Sequence, residues 1–185
     1  PFKMAIEAGA DSVMTAHLAL PKITGDEIPS TLNPKISTDI LRKDLKFDGI
    51  IVTDAMEMGA IKKTFSDERS AVMAVIAGAD VVLIPNSSKV AIDTIETAVK
   101  KGEITEERIN ESVRRILQLK ADVGLFQNPY IEPETASQFG RPEYRQVALA
   151  AAEEALTLLK NDGNLLPLPK SAKILVTGPA AKSIS

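Results

Sequence analysis

The chain has 185 residues, of which 44% are hydrophobic and 25% charged, and a net charge of −3. That balance is the one expected of a globular protein and, with no basic cluster, gives no reason to expect nucleic-acid binding. Cysteine is absent, which excludes disulfides and thiolate chemistry. No apolar run nears the roughly 18 residues of a membrane span.

The opening Pro1-Phe2-Lys3-Met4-Ala5-Ile6 reads as a helix already under way rather than a secretory leader. The expectation is therefore a piece of something longer. Residues 2–8 form a short helix that leads through Ala8-Gly9-Ala10-Asp11 into a first strand, Ser12-Val13-Met14-Thr15. Residues 18–33 are rich in Pro, Thr, Asp and Gly and read as a loop. After Pro34 a helix places Ile36, Ile40, Leu41 and Leu45 on one face.

Asp48-Gly49 is a turn, and it feeds Ile50-Ile51-Val52, an apolar β-branched run. Such a run reads as a strand buried on both faces. It ends on Thr53-Asp54. Ser66 opens a helix whose first turn holds Asp67 and Glu68, a placement that suits the helix dipole. That helix ends at Gly78. Ala77-Gly78-Ala79-Asp80 then repeats the earlier motif and starts a third strand, Val81-Val82-Leu83-Ile84, which stops at Pro85-Asn86. Strand starts near 12, 50 and 81 are spaced by about 38 and 31 residues, the length of a βα unit.

A helix over 88–101 shows Ile92, Ile95 and Val99 on one side. Thr105 caps the next, with Ile109, Val113, Ile116 and Leu117 inward and a close at Gly124-Leu125-Phe126. Residues 127–140 hold Pro129 and Pro133 without periodicity and read as a linker. An Ala-rich helix over 142–159, a turn at Asn161-Asp162-Gly163 and a strand at Lys173–Thr177 complete the pattern. Gly178 to Ser183 follows that strand, but a phosphate loop would need Gly where Ala181 and Val176 stand.

Burial on both faces leaves only the carboxyl ends of the strands free to meet a ligand. Asp54 stands at such an end. From the residues alone two readings stay open: a catalytic acid, or a carboxylate that caps the following turn. His17, the one histidine, belongs to a different strand end and reads as a hydrogen-bonded residue on the pocket floor, with a direct acid role as the alternative. Met58 reads as packing near the pocket wall, and Asn86 as a residue facing the pocket. Glu57 reads as a backbone-bonding carboxylate. Asn86-Ser87-Ser88 and Asn110-Glu111-Ser112 match the glycosylation pattern, which arises often by chance.

Taken in order, Val13-Met14-Thr15-Ala16-His17, Leu32-Asn33, Leu41-Arg42, Phe47-Asp48-Gly49, Val52-Thr53-Asp54-Ala55-Met56-Glu57-Met58 and Ala77-Gly78-Ala79-Asp80 closely resemble glycoside hydrolase family 3. The stretch Val113-Arg114-Arg115-Ile116-Leu117 is similar to that family's closing barrel helix. Leu156-Thr157-Leu158-Leu159-Lys160-Asn161 and Leu165-Leu166-Pro167-Leu168 resemble the entry to its second domain.

The resemblance implies an α/β fold: a partial (β/α)₈ TIM barrel, its last three βα units, followed by a linker and the first strand of an α/β sandwich. The expected boundaries are 1–126 for the barrel portion, 127–160 for linker and connecting helix, and 161–185 for the start of the second domain. It implies a retaining exo-glycosidase with Asp54 as nucleophile. His17, Met58 and Asn86 are the candidate substrate contacts. Ala55, where the glucosidase branch usually has an aromatic residue, points to the β-N-acetylhexosaminidase branch and to release of terminal N-acetylglucosamine. A β-glucosidase or β-xylosidase of the same family is the alternative, and a non-catalytic complementing half-barrel is another. In that branch the acid/base is a His on a Gly- and His-rich loop that this chain lacks. No metal and no organic cofactor are implied. The expected partners are a carbohydrate substrate, a missing N-terminal barrel half and, through unpaired strand edges, another copy of the chain; no membrane partner is expected, and the compartment stays open.

Overall fold

A computed structural model describes residues 1–179 and 181 of the chain; Lys182 and Ser183, which the phosphate-loop comparison reached, lie outside the described residues. By internal packing the chain divides into two units, Pro1–Tyr130 and Ile131–Ser185.

In the first unit, α1 (Phe2–Glu7) leads to β1 (Ser12–Met14). Two short helical segments, α2 (Pro21–Thr24) and a 3₁₀ turn at Ser30–Leu32, occupy the loop beyond it. A π-helix, Lys35–Asp44, leads to β2 (Ile50–Val52). The strands pair in parallel, with Ser12 opposite Ile50, Val13 opposite Ile51 and Met14 opposite Val52. After α3 (Gly59–Lys62) come three longer helices: α4 (Asp67–Ala77), α5 (Ser88–Lys100) and α6 (Glu106–Asp122). Each of these starts on a hydroxyl cap. Ser66 accepts from the Arg69 amide at 3.2 Å, Ser87 from that of Val90 at 3.3 Å, and Thr105 from that of Arg108 at 3.2 Å.

The helix after Pro34 differs from the expected α-helix. Its closing bond runs from the Leu45 amide to the Ile40 carbonyl, five residues back, at 2.9 Å. The apolar positions 36, 40, 41 and 45 recur at four to five residues, which suits that wider winding. Leu41 and Ser37 are buried by it.

The third strand is reduced to a bridge between Val52 and Val81. The segment still runs beside β2, since the Thr53 amide donates to the Val81 carbonyl at 3.0 Å. Two residues later the ladder fails for a local reason. The Leu83 amide donates to the Thr53 hydroxyl at 2.9 Å instead of to a carbonyl, and Ile84 turns to a φ of 43° ahead of Pro85.

Two apolar clusters hold this unit. One joins Leu32, Leu41, Phe47, Ile51, Met56, Ile61, Ala74 and Ala79 around β2. The other joins Val72, Val75, Ala98 and Ile104 between α4 and α5. Gly49 is required where β2 begins: an added Cβ would lie 2.4 Å from the Asp11 carbonyl oxygen and 2.6 Å from the Phe47 ring. Gly78, at φ +120°, ends α4 against Ser37 and Thr38 in a backbone conformation that side chains rarely adopt.

The second unit holds α7 (Pro142–Ala155) and two 3₁₀ turns, Pro133–Gln138 and Asp162–Asn164. The helix expected over 142–159 stops at Ala155. The strand expected at Lys173–Thr177 is absent: the segment is irregular, and Ile174, Leu175 and Val176 are 65%, 85% and 70% exposed. A lone strand has no neighbour to accept its amides, so β-propensity alone does not form one. The described molecule is thus a helix-rich α/β protein. No described helix is long and apolar enough to cross a membrane.

Candidate active site

Asp54 lies just past the carboxyl end of β2, where the chain leaves the sheet. It is half-buried. Its Oδ1 accepts from the Ala55 amide at 2.7 Å, which fixes the carboxylate against its own backbone. Among the described residues, Oδ2 has no hydrogen-bond partner. A carboxylate held by one oxygen and open at the other suits nucleophilic attack. The turn-capping reading is met only through this single bond to the next residue.

The same end of the sheet holds β1's last residues and the loop behind them. The buried Thr15 hydroxyl donates to the Thr31 hydroxyl oxygen at 3.1 Å. His17 Nδ1 lies 3.0 Å from that same Thr31 oxygen, and Nε2 lies 2.9 Å from the Ala55 carbonyl oxygen. A carbonyl can only accept, so Nε2 carries the proton and Nδ1 takes the Thr31 hydroxyl. His17 is thereby bonded to Ala55, Asp54's own neighbour, with both ring nitrogens engaged.

The other candidates stand differently. Met58 is 45% exposed, and the buried methionine of this turn is Met56, at 3%. The Met58 amide closes a turn onto the Ala55 carbonyl at 3.1 Å. Glu57 is exposed. Asn86 is exposed too, and its amide donates to Asp67 Oδ1 at 2.5 Å, in the first turn of α4. Asp54, His17 and the 55–58 turn are therefore brought together, whereas Asn86 is tied to α4. Thr31 was read only as part of a loop, and nothing local marks it. Its role depends on β1 and β2 meeting. Among the described residues no three His, Asp or Glu side chains converge as a metal ion would require.

The amino end of the same sheet carries a second aspartate, at the centre of a charged cluster that the sequence pattern did not reveal. Asp80, the last residue of the motif that leads into the third segment, is fully buried at its side chain. Its Oδ2 accepts from Arg42 at 2.5 Å and from the Ile51 amide at 2.9 Å. Its Oδ1 accepts from Ser112 at 2.7 Å and Arg115 at 3.3 Å, with Arg108 3.5 Å away. Arg42 also donates to the Phe47 and Gly49 carbonyls at 2.8 and 2.6 Å, and Arg108 to those of Val75 and Ala79 at 3.2 and 2.8 Å. Burial, and secondarily Arg115's like charge, push the Arg42 guanidinium below its ordinary value, while Asp80 opposes them.

Comparison with known proteins gives the chain a family. Residues 1–119 match the family model for the glycosyl hydrolase family 3 N terminal domain. Over 165 residues the chain is 38% identical to a lysosomal beta glucosidase from Dictyostelium discoideum, covering 85% of this chain and 20% of that protein. It is 34% identical to a beta-xylosidase from Formosa agariphila, covering 98% and 26%. It superposes on a family 3 beta-N-acetylglucosaminidase from Paenibacillus sp. str. FPU-7 with a TM-score of 0.76 and 36% identity, covering 88% and 32%. The chain belongs to glycoside hydrolase family 3. It spans about a fifth to a third of the length of these relatives.

Proposed function

We propose that the protein carrying this chain is a retaining exo-glycosidase, that residues 1–126 are part of its (β/α)₈ barrel, and that Asp54 is its nucleophile. The observation that carries the reading is the Asp54 carboxylate itself: half-buried past a strand's carboxyl end, one oxygen bonded at 2.7 Å and the other open. In the first step Oδ2 bonds to the anomeric carbon as the bond to the leaving oxygen breaks, and an acid protonates that oxygen. In the second, water attacks the anomeric carbon, gives its proton to the same group acting as base, and releases Asp54. The acid is assigned to a residue beyond this chain, since His17 has both nitrogens engaged.

Terminal β-linked N-acetylglucosamine is the favoured substrate. Ala55 beside the nucleophile and the likeness to the Paenibacillus beta-N-acetylglucosaminidase support it. A second reading, a β-glucosidase or β-xylosidase, is favoured by the likeness to the Dictyostelium and Formosa proteins. Rates on p-nitrophenyl β-glycosides of N-acetylglucosamine, glucose and xylose with the full-length protein decide between them. A kcat/KM for the N-acetylglucosaminide below that for either other sugar would discard the favoured substrate.

A further inference from the structure

His17 makes a contact that neither a substrate-binding nor an acid/base role requires. Its Nε2 bonds not to an open site but to the backbone next to Asp54. The peptide between Ala55 and Met56 is held on both edges. Its carbonyl accepts from His17 Nε2 at 2.9 Å and from the Met58 amide at 3.1 Å, and its N–H donates to the Leu83 carbonyl at 3.0 Å. The preceding peptide bears the N–H that holds Asp54 Oδ1 at 2.7 Å. Any swing at Ala55 therefore moves the group that orients the carboxylate.

Of the two donors to the Ala55 carbonyl, the Met58 amide belongs to the same turn and moves with it. His17 comes from the end of β1, 38 residues away. Its ring is in turn oriented through Nδ1 by Thr31, which is fully buried and bonded to Thr15. We propose that His17 is a positioning residue for Asp54: through Thr15, Thr31 and the Ala55 carbonyl it ties the turn that aims the carboxylate to the end of β1. The proposal rests on Asp54 being the nucleophile. It goes further in giving the histidine a task that is neither acid nor sugar contact.

The tautomer makes the test specific. The amide nitrogen of Gln reaches the place of Nε2, and that of Asn only the place of Nδ1. In the full-length protein, a 5-fluoro glycosyl fluoride of the preferred sugar would be used to trap Asp54, with the modified peptide identified by mass spectrometry. The trapping rate would be read against the melting midpoint. His17→Asn is expected to slow trapping by about tenfold to a hundredfold, the scale of a misaimed reacting group, with the apparent binding constant unchanged. His17→Gln is expected to stay within about threefold of the parent, and all variants to melt within about 2 °C of it. Should His17→Asn melt early, Thr31→Val serves instead. It keeps the ring and the side-chain shape, removes the hydroxyl behind Nδ1, and is expected to slow trapping by about threefold to tenfold. Equal losses in the Asn and Gln variants, or no loss in Asn and Val, overturn the proposal. If the unaltered protein is labelled elsewhere than Asp54, the nucleophile assignment fails as well, and that failure shows before any variant is made.

Discussion

The two ends of the β1–β2 sheet each centre on an aspartate, and the two are treated in opposite ways. Asp80, at the amino end, has no exposed side-chain surface and faces three arginines, a serine hydroxyl and a backbone amide. Asp54, at the carboxyl end, has one bond to its own neighbour and an open oxygen. A carboxylate whose lone pairs are all taken can only hold the fold. One left half-satisfied, on backbone fixed from both sides, is costly to the fold and useful to chemistry. The proposed role of Asp54 follows the division seen in (β/α)₈ barrels, with stability at the amino face and reaction at the carboxyl face.

The comparison is broken most directly by exchanging a single oxygen. Asp54→Asn keeps the shape and the acceptor for the Ala55 amide but removes the charge proposed to attack. In the full-length protein kcat is expected to fall by roughly four orders of magnitude or more, the scale seen when a covalent catalyst is lost, while the melting midpoint holds. A loss of less than about tenfold would move the chemistry away from Asp54.

Asp80→Ala should do the reverse. It leaves Arg42, Arg108 and Arg115 together without their shared anion, and removing one partner of a buried ion pair costs about 3–5 kcal/mol. Urea unfolding measures that loss, and kcat per folded molecule is expected to change little. If kcat collapses with stability intact, Asp80 is not the purely structural member of the pair.

Gly49→Ala probes how closely the structural end is packed. The new methyl group would meet the Asp11 carbonyl at 2.4 Å, and backbone cannot step aside as a flexible side chain does. Overpacking of this kind costs about 1–3 kcal/mol. Unfolding free energy falling by less than a few tenths would mean that the turn opens freely.

Asp54's place was legible in the sequence because everything that puts it there is local: a turn, an apolar run, then the carboxylate. Asp80 was not. Ala77-Gly78-Ala79-Asp80 and Ala8-Gly9-Ala10-Asp11 look alike, yet Asp11 is exposed while the Asp80 side chain is fully buried. What separates them is Arg42, Arg108 and Arg115, 28 to 38 residues away in the chain and brought together only by packing. His17 is an intermediate case. Its place at the end of β1 could be read, but its partner Thr31 could not. The strand expected at Lys173–Thr177 failed for a related reason, since apolar β-branched residues specify a strand only where a neighbour exists to pair with it.

The smallest effect concerns Asn86, and it sharpens which carboxyl-end groups take part. Its amide is already donated to Asp67 at the start of α4, on an exposed surface. A side chain spent on the scaffold in this way is expected to matter little to a bound sugar. Asn86→Ala should cost about 0.5–1.5 kcal/mol in unfolding free energy, the worth of an ordinary hydrogen bond, and alter kcat/KM by less than about tenfold. The KM-to-kcat split is the useful readout. A large rise in KM at unchanged stability would show that Asn86 leaves Asp67 to meet substrate, and would add it to the working end of the sheet. A drop in stability with KM unmoved would place it with the supports of α4, and would leave the proposed work of this end to Asp54, with His17 behind it.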